Sequence, residues 1–288
     1  MTTAELFPAW SKLVTVGLTG LLVVCAALLL LQSVRIGRHR CLAIMLLALS
    51  AGLAWFGYAH HETQHPAATV GTSVAHFFLL GAWSWLLFRV QPGAPQYTQT
   101  RIRHVRPAVL TALVLLSLQL LIGAVTSARF AGRACPDFPT CNEAWTPDAT
   151  MYSALRVDRS YQVSPAGYVV GSHERQAVQL AHRWLGALTT LAVLAVGIAA
   201  FPALQRLRRL GLAATGIAAA TFLVGMALAL TDFGYYLAPL HPVLSGILLL
   251  LLLKIHALSR ERWWHDYSNV RNEASVDWDN IPDSRLSS

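Results

Sequence analysis

The sequence predicts an all-α integral membrane protein, a helical bundle of about seven transmembrane helices. Of its 288 residues, 55% are hydrophobic and only 12% are charged, about half the charged fraction of a soluble domain. The apolar residues are grouped in long runs, each able to cross a bilayer as a helix. Short basic segments separate several of these runs, as is typical of loops that stay in the cytoplasm.

Seven predicted spans follow one another along the chain. They cover residues 13–34, 41–59, 70–90, 107–127, 176–200, 210–231 and 238–258. The N-terminal segment lacks the basic region of a signal peptide, so the first run is expected to stay in the protein as a helix.

The basic residues predict the orientation of the spans. The connections RIGRHR, RIRHVR and QRLRRL are short and basic, and the tail opens with Arg260 and Arg262. The positive-inside rule places all four on the cytoplasmic side. We therefore expect a multi-pass protein of the cell inner (plasma) membrane, with the N-terminus outside and the C-terminus cytoplasmic. The net charge of +8 thus reflects membrane orientation, and no nucleic-acid partner is expected.

A weak internal repeat divides the chain into two pseudo-repeated halves. Residues 107–258 are predicted to form a four-helix half that includes a long outer loop, residues 128–175. Residues 1–106 supply three helices, so the first helix of the N-terminal half is missing. The polar, acidic tail, residues 259–288, is expected to be disordered in the cytoplasm.

Three histidines lie at similar depths in spans that descend from the outer side. His182 and His241 belong to the four-helix half, where two imidazoles from different helices can ligate one haem iron. The alternative is that each ring bonds to a backbone carbonyl or to interfacial water. His76 is either one ligand of a second site or a relic, because the first span carries no matching histidine.

The residues around His182 offer further candidate groups. Arg183 either pairs with a haem propionate or extends toward the interface. Cys135 and Cys141 lie in the long outer loop, where an oxidising compartment allows a disulfide. That disulfide would be a loop staple or a thiol pair that exchanges electrons near the histidines; a zinc site is less favoured, because the spacing differs from that of zinc knuckles.

A second motif, H-E-x-x-H, occurs at residues 61–65. It is typical of zinc peptidases when both histidines share a helical face. Here Pro66 follows at once and disfavours helical geometry at His65. The stretch is therefore predicted to be a polar loop, and the roles of His60, His61 and His65 stay open.

Three stretches of the second half resemble the haem A synthase family. They are IGAVTSARFAGRACPDFPTCNEAWTP, QLAHRWLGAL and LAPLHPVLSGILLLLLL, and the resemblance covers about residues 107–258. It implies oxidation of a methyl group of haem O to a formyl group for terminal oxidase assembly. Haem b would be the cofactor and haem O the substrate. The implied ligands of the iron are His182 and His241, with Arg183 and His76 also binding cofactor.

The sequence departs from that family at three points. Eight helices are common in the family, whereas seven are predicted here, and one histidine of the N-terminal pair is absent. The family's glutamate, three residues before the histidine of the H-R pair, is replaced by Gln179, which cannot shuttle a proton as a carboxylate does. Glu174 and Glu143 are nearby carboxylates, and Glu174 and Gln179 are taken as candidate catalytic residues.

These departures keep other functions open. One alternative is a non-catalytic haem-binding membrane assembly factor or a cytochrome b-like electron carrier, and another is a transporter. The expected partners are the lipid bilayer, an electron donor, and haem O synthase or terminal oxidase assembly proteins.

Overall fold

The structure is a computed structural model that describes residues 39–59, 65–90, 104–132, 134–135, 137–156, 158, 172–203, 205–231 and 237–273. Within these ranges the regular elements are helices. They are α1 (Arg40–Ala59), α2 (Pro66–Val90), α3 (Val105–Ala128), α4 (Thr150–Ala154), α5 (Ser172–Ala200), α6 (Gln205–Leu230) and α7 (Leu240–Glu273).

Six of these helices are long and apolar enough to cross a membrane, namely all except α4. They confirm six of the seven predicted spans and the prediction of a helical, multi-pass membrane protein. The first predicted span, residues 13–34, lies outside the described residues. The short helix α4 was not predicted, because five residues inside a polar loop carry too little periodicity to be recognised.

Several helix boundaries differ from the sequence prediction. Helices α5 and α6 begin at Ser172 and Gln205, a few residues before the predicted starts at 176 and 210. Helix α2 begins at Pro66 rather than at residue 70, since proline suits the first position of a helix, where its missing N–H is not needed. Helix α7 continues to Glu273, past the predicted end at residue 258 and into the stretch expected to be disordered. Residues 259–273 contain neither glycine nor proline, so no residue there ends the helix. Residues 60–64 and 274–288 are outside the described ranges.

Four of the membrane helices close a ring. Helix α3 packs against α5, α5 against α6, α6 against α7, and α7 against α3. Helix α2 lies outside this ring against α3 and α7, and α1 packs on α2. We call the end of the ring near Ala128 and Ser172 the loop end. The opposite end is filled by a buried apolar cluster that includes Val109, Val193 and Leu252. The division of the chain into two repeated halves stays a prediction.

Helices α5 and α6 approach each other closely through small residues. A Cβ at Gly211 would lie 2.8 Å from the Cβ of Ala200 and 3.4 Å from the Cα of Gly197. Close contact between helix backbones is a main source of helix association in a bilayer, where apolar burial alone drives little packing. The α5–α6 contact therefore depends on the absence of a side chain at Gly211.

We expect Gly211→Ala to destabilise the protein, because the added methyl must push α5 and α6 apart. Overpacking of this kind costs about 1–3 kcal/mol, and the midpoint of thermal unfolding in detergent should fall accordingly. Gly216→Ala is the matched control on the same helix, since nothing lies within 4 Å of a Cβ there. Equal midpoints for the two variants would contradict the close contact.

Candidate functional site

The centre of the site is a pair of histidines inside the ring, near its loop end. His182 on α5 and His241 on α7 have ring centroids 6.3 Å apart, and their planes are inclined by 68°. The structure therefore brings together the two histidines that the sequence placed at similar depths. Helices α5 and α7 are not adjacent in the ring, so the two imidazoles reach each other across it.

Two glycines make room for these imidazoles. A Cβ at Gly123 on α3 would lie 3.1 Å from Cε1 of His182, and a Cβ at Gly225 on α6 would lie 2.9 Å from Cε1 of His241. Each imidazole thus packs against the bare backbone of an adjacent helix. Neither glycine could be recognised from the sequence, because a glycine in a membrane span does not indicate which residue packs against it.

One polar side chain reaches the pair from α3. The amide nitrogen Nε2 of Gln119 lies 3.1 Å from Nδ1 and 3.4 Å from Nε2 of His182, and it donates to the His182 backbone carbonyl over 3.2 Å. The amide oxygen Oε1 is buried and has no hydrogen-bond partner among the described residues. Gln119 was not among the predicted site residues. A lone amide in an apolar span is costly, and that cost could have identified it as a candidate functional group.

The distance between the histidines fits two ligands of one metal centre. A histidine nitrogen binds a transition-metal ion at about 2.0–2.1 Å, and the ring centre lies about 1.1 Å behind that nitrogen. The observed centroid separation of 6.3 Å is therefore short enough for both rings to hold one metal ion, if one were bound between them. The His241 ring also makes a hydrogen bond to the backbone of Thr221, and its Nδ1 is buried with no hydrogen-bond partner in the described part of the chain.

Arg183 fastens the outer loop to α5. Its guanidinium donates to the backbone carbonyls of Asp137 (2.6 Å) and Cys135 (3.3 Å), and also to that of Thr140. It also lies 5.4 Å from the ring centroid of Phe138. Because Arg183 follows His182 directly, it joins the loop to the helix segment that carries the histidine. Binding of a propionate by Arg183 stays a prediction.

The loop itself is closed by a disulfide between Cys135 and Cys141, as the sequence analysis expected. Both cysteines are buried and pack against Leu180 on α5. The two half-cystines and Arg183 therefore attach the same short loop to one face of one helix. Whether the disulfide also exchanges electrons stays a prediction.

The carboxylate of Asp137 organises the loop from within. The hydroxyl of Thr140 donates to it, and so do the backbone N–H groups of Asn142 (2.7 Å) and Glu143 (3.3 Å). These hydrogen bonds favour the charged form and lower the pKa of Asp137 from 3.8 to about 2, with the Thr140 bond the largest cause. Ionised Asp137 therefore stabilises the folded loop.

Because the pKa of Asp137 is lowered in the folded protein, its contribution to stability depends on pH. A carboxyl whose pKa is lower in the folded protein stabilises the fold above pH 3.8 and loses that effect as the pH falls toward 2. We expect Asp137→Asn to lower the thermal midpoint at pH 6, and the difference from the wild type to shrink below about pH 3.5. Asp158→Asn is the control, because this exposed carboxylate pairs with Arg156 (3.1 Å) outside the disulfide loop. A difference that is constant from pH 6 to pH 2.5 would count against the assignment.

The two candidate catalytic residues occupy different places on α5. Gln179 is buried. Its Nε2 donates to the Gly132 carbonyl over 3.2 Å, and its Oε1 has no hydrogen-bond partner within the described ranges. Glu174 lies in the first turn of α5, eight residues before His182 and so about 12 Å from it along the helix axis. Gln179, three residues before His182, is therefore the nearer of the two to the histidine pair.

His76 lies on α2, outside the four-helix ring. Its Nδ1 is 2.7 Å from the backbone carbonyl of Thr72, while Nε2 is buried and bonds to no residue that the structure describes. The hydrogen bond fixes the proton on Nδ1 and leaves the lone pair of Nε2 unused. The structure does not bring His76 to the His182–His241 pair, and its role in a second site stays a prediction.

Comparison with known proteins gives two findings. Residues 2–253 match the model of a family described as cytochrome oxidase assembly protein. The chain is also 24% identical over 265 residues to the heme A synthase of Shewanella oneidensis, an alignment that covers 91% of this chain and 78% of that protein.

Proposed function

Because this chain belongs to the cytochrome oxidase assembly protein family, we propose that it is a haem A synthase, which oxidises a methyl group of haem O to a formyl group. The observation that carries the proposal is the histidine pair, whose rings, 6.3 Å apart between centroids, would be the residues that hold a haem iron. The similarity to a heme A synthase supports the same reaction.

In this proposal His182 and His241 would hold a haem. Haem b is the resident cofactor of the protein, and haem O is its substrate. The bound haem supplies an iron that changes oxidation state within the bundle. The residues of the chain set its surroundings. The helices α3, α5, α6 and α7 surround the pair, and the absence of a Cβ at Gly123 and Gly225 lets each imidazole pack against the backbone of a neighbouring helix. The cysteine loop, held by Arg183, covers the loop end of the site.

Gln179 favours a second candidate function, in which the protein binds haem without oxidising it. A glutamate at this place could move a proton, whereas an amide cannot. A second candidate function is therefore a non-catalytic haem-binding assembly factor or a cytochrome b-like electron carrier. The specific observation in its favour is that the Gln179 amide is buried and donates to the Gly132 carbonyl, as a structural side chain would.

The test is to extract and identify the haem from the protein purified out of cells that make haem O. Haem A or a hydroxylated intermediate would support the synthase. Haem b alone would support the non-catalytic alternative, and an absence of haem would overturn both. Gln179→Glu is an informative companion variant, since a restored carboxylate should raise the yield of oxidised haem if proton transfer limits the reaction.

We also propose that the loop end faces outside, with the N-terminus outside and the C-terminus cytoplasmic. The short basic connections support this orientation. Reporter fusions after Arg106 and after Ser160 should then report opposite sides of the membrane, with Ser160 outside. Signals from the same side would contradict the proposed topology. The electron donor and the assembly partners would bind the protein at the plasma membrane.

A further inference from the structure

Helix α5 has an apolar stripe that points away from the rest of the bundle. Its members are spaced three or four residues apart, so they lie on one face of the helix. They are Leu188, Leu191, Leu194 and Ile198, which are 43–66% exposed. Helix α5 is one of the six helices long and apolar enough to cross a membrane, and the outer face of such a helix is covered by lipid chains. We call this face the lipid stripe.

Trp184 lies at the loop end of the lipid stripe. It precedes Leu188 by about one helical turn and is 45% exposed. Tryptophan is enriched at the two boundaries of a bilayer, because its ring suits apolar chains while its N–H needs a polar partner. Here Nε1 of Trp184 donates to the backbone carbonyl of Trp145 over 2.6 Å. Trp184 therefore has the position and the bonding of a boundary residue.

Trp145 extends this apolar surface from the helix to the outer loop. Its ring centroid lies 6.4 Å from that of Trp184, and 58% of the residue is exposed. It directly follows a turn in which Cys141 and Ala144 exchange backbone hydrogen bonds of 3.0 and 3.1 Å. Because Cys141 also belongs to the disulfide, the position of Trp145 is tied to the closed part of the loop.

Polar residues border the tryptophan pair on the loop side. Asn142 and Glu143 are exposed and precede Trp145 by two and three positions, and Asp148 is exposed three positions after it. Charged side chains are costly in the hydrocarbon core, so this part of the loop cannot lie deep in the bilayer. Apolar rings next to carboxylates instead suit the headgroup region, where lipid chains and water meet.

We propose that Trp145 and Trp184 anchor the outer loop in the phospholipid headgroup region at the loop end of the bundle. Arg183 holds the loop on the side of the bundle through three backbone carbonyls, and the next residue, Trp184, holds it on the side of the lipid. The inference goes beyond the proposed function. It depends on the membrane helices and the loop contacts, and it holds whether or not a haem is bound.

The experiment measures tryptophan fluorescence of the purified protein in phosphatidylcholine vesicles, because bromine on a lipid chain quenches the indoles that it contacts. The bromine is placed either near the headgroup or near the tip of the chain. The difference between the wild type and Trp145→Phe gives the signal of Trp145. We expect this signal to lose most of its intensity with bromine near the headgroup and little with bromine at the chain tip.

Trp83 provides the control signal, from the difference between the wild type and Trp83→Phe. Its ring is only 2% exposed, and its Nε1 donates to the Ser50 hydroxyl over 3.1 Å. Neither brominated lipid should quench it. A Trp145 signal that neither lipid quenches would overturn the proposal, whether iodide in the water quenches it, as for a loop in water, or not, as for a loop covered by protein. Stronger quenching from the chain tip would also overturn it, because the ring would then lie in the hydrocarbon core.

Trp184→Leu tests the second member of the pair. It removes both the hydrogen bond to the Trp145 carbonyl and the ring contact, so the Trp145 signal in this background should become less sensitive to bromine and more sensitive to iodide. Unchanged quenching would show that Trp184 does not hold Trp145 at the lipid. Should Trp184→Leu fail to fold, Trp184→Phe decides in the same way, because it keeps a ring and loses the N–H donor.

Discussion

Replacing either His182 or His241 by alanine is expected to abolish the low-spin haem spectrum of the purified protein. The two rings are 6.3 Å apart between centroids, so one iron between them would need both to remain six-coordinate and low-spin. Alanine at either position removes one axial ligand. Absorption and electron paramagnetic resonance spectra of each variant, normalised to protein, measure the effect.

His256→Ala is the control for these variants, because it removes a histidine from the same helix α7. It lies fifteen residues beyond His241, about 22 Å farther along the helix axis, and so cannot reach the same iron. Its low-spin spectrum should match the wild type. An unchanged spectrum in both His182→Ala and His241→Ala would remove the observation on which the proposed function depends.

Arg183→Ala should produce the largest loss of stability among single changes at the loop end. The guanidinium serves three backbone carbonyls, those of Cys135, Asp137 and Thr140, and hydrogen bonds to a charged group are worth about 1.5–3 kcal/mol each. Since Trp184 still donates to the Trp145 carbonyl over 2.6 Å, the loop keeps a second attachment. We therefore expect a net loss of about 2–4 kcal/mol, or about 5–10 °C in the thermal midpoint.

One companion variant separates the hydrogen bonds of Arg183 from its charge, and a second variant is the control. Arg183→Lys keeps the charge but cannot serve three carbonyls with one rigid fork, so its midpoint should fall nearly as far. Arg208→Ala is the control, because Arg208 also lies over an aromatic ring, that of Phe201 at 5.7 Å, at the other end of the bundle. If Arg183→Ala is no less stable than Arg208→Ala, Arg183 does not anchor the loop.

The sequence by itself determined the features that depend on local composition and on position along one helix. Six spans could be predicted because every backbone group in lipid must bond within its own helix, so each span is a local apolar run. The similar depths of His182 and His241 followed from counting residues at 1.5 Å each. The disulfide could be expected because Cys135 and Cys141 are close neighbours in one polar loop.

Only the tertiary structure decided which residues meet across helices. A membrane helix is apolar on all sides, so its pattern does not tell which face is turned toward the bundle. The contact of Gln119 with His182 joins residues 63 positions apart, and the glycines opposite the two imidazoles lie on other helices as well. Arg183 meets loop carbonyls rather than a carboxylate because the path of the loop, set by its disulfide and by Asp137, brings them there. Rotation of each helix about its axis is set by packing against its neighbours, and that packing is a property of the whole bundle.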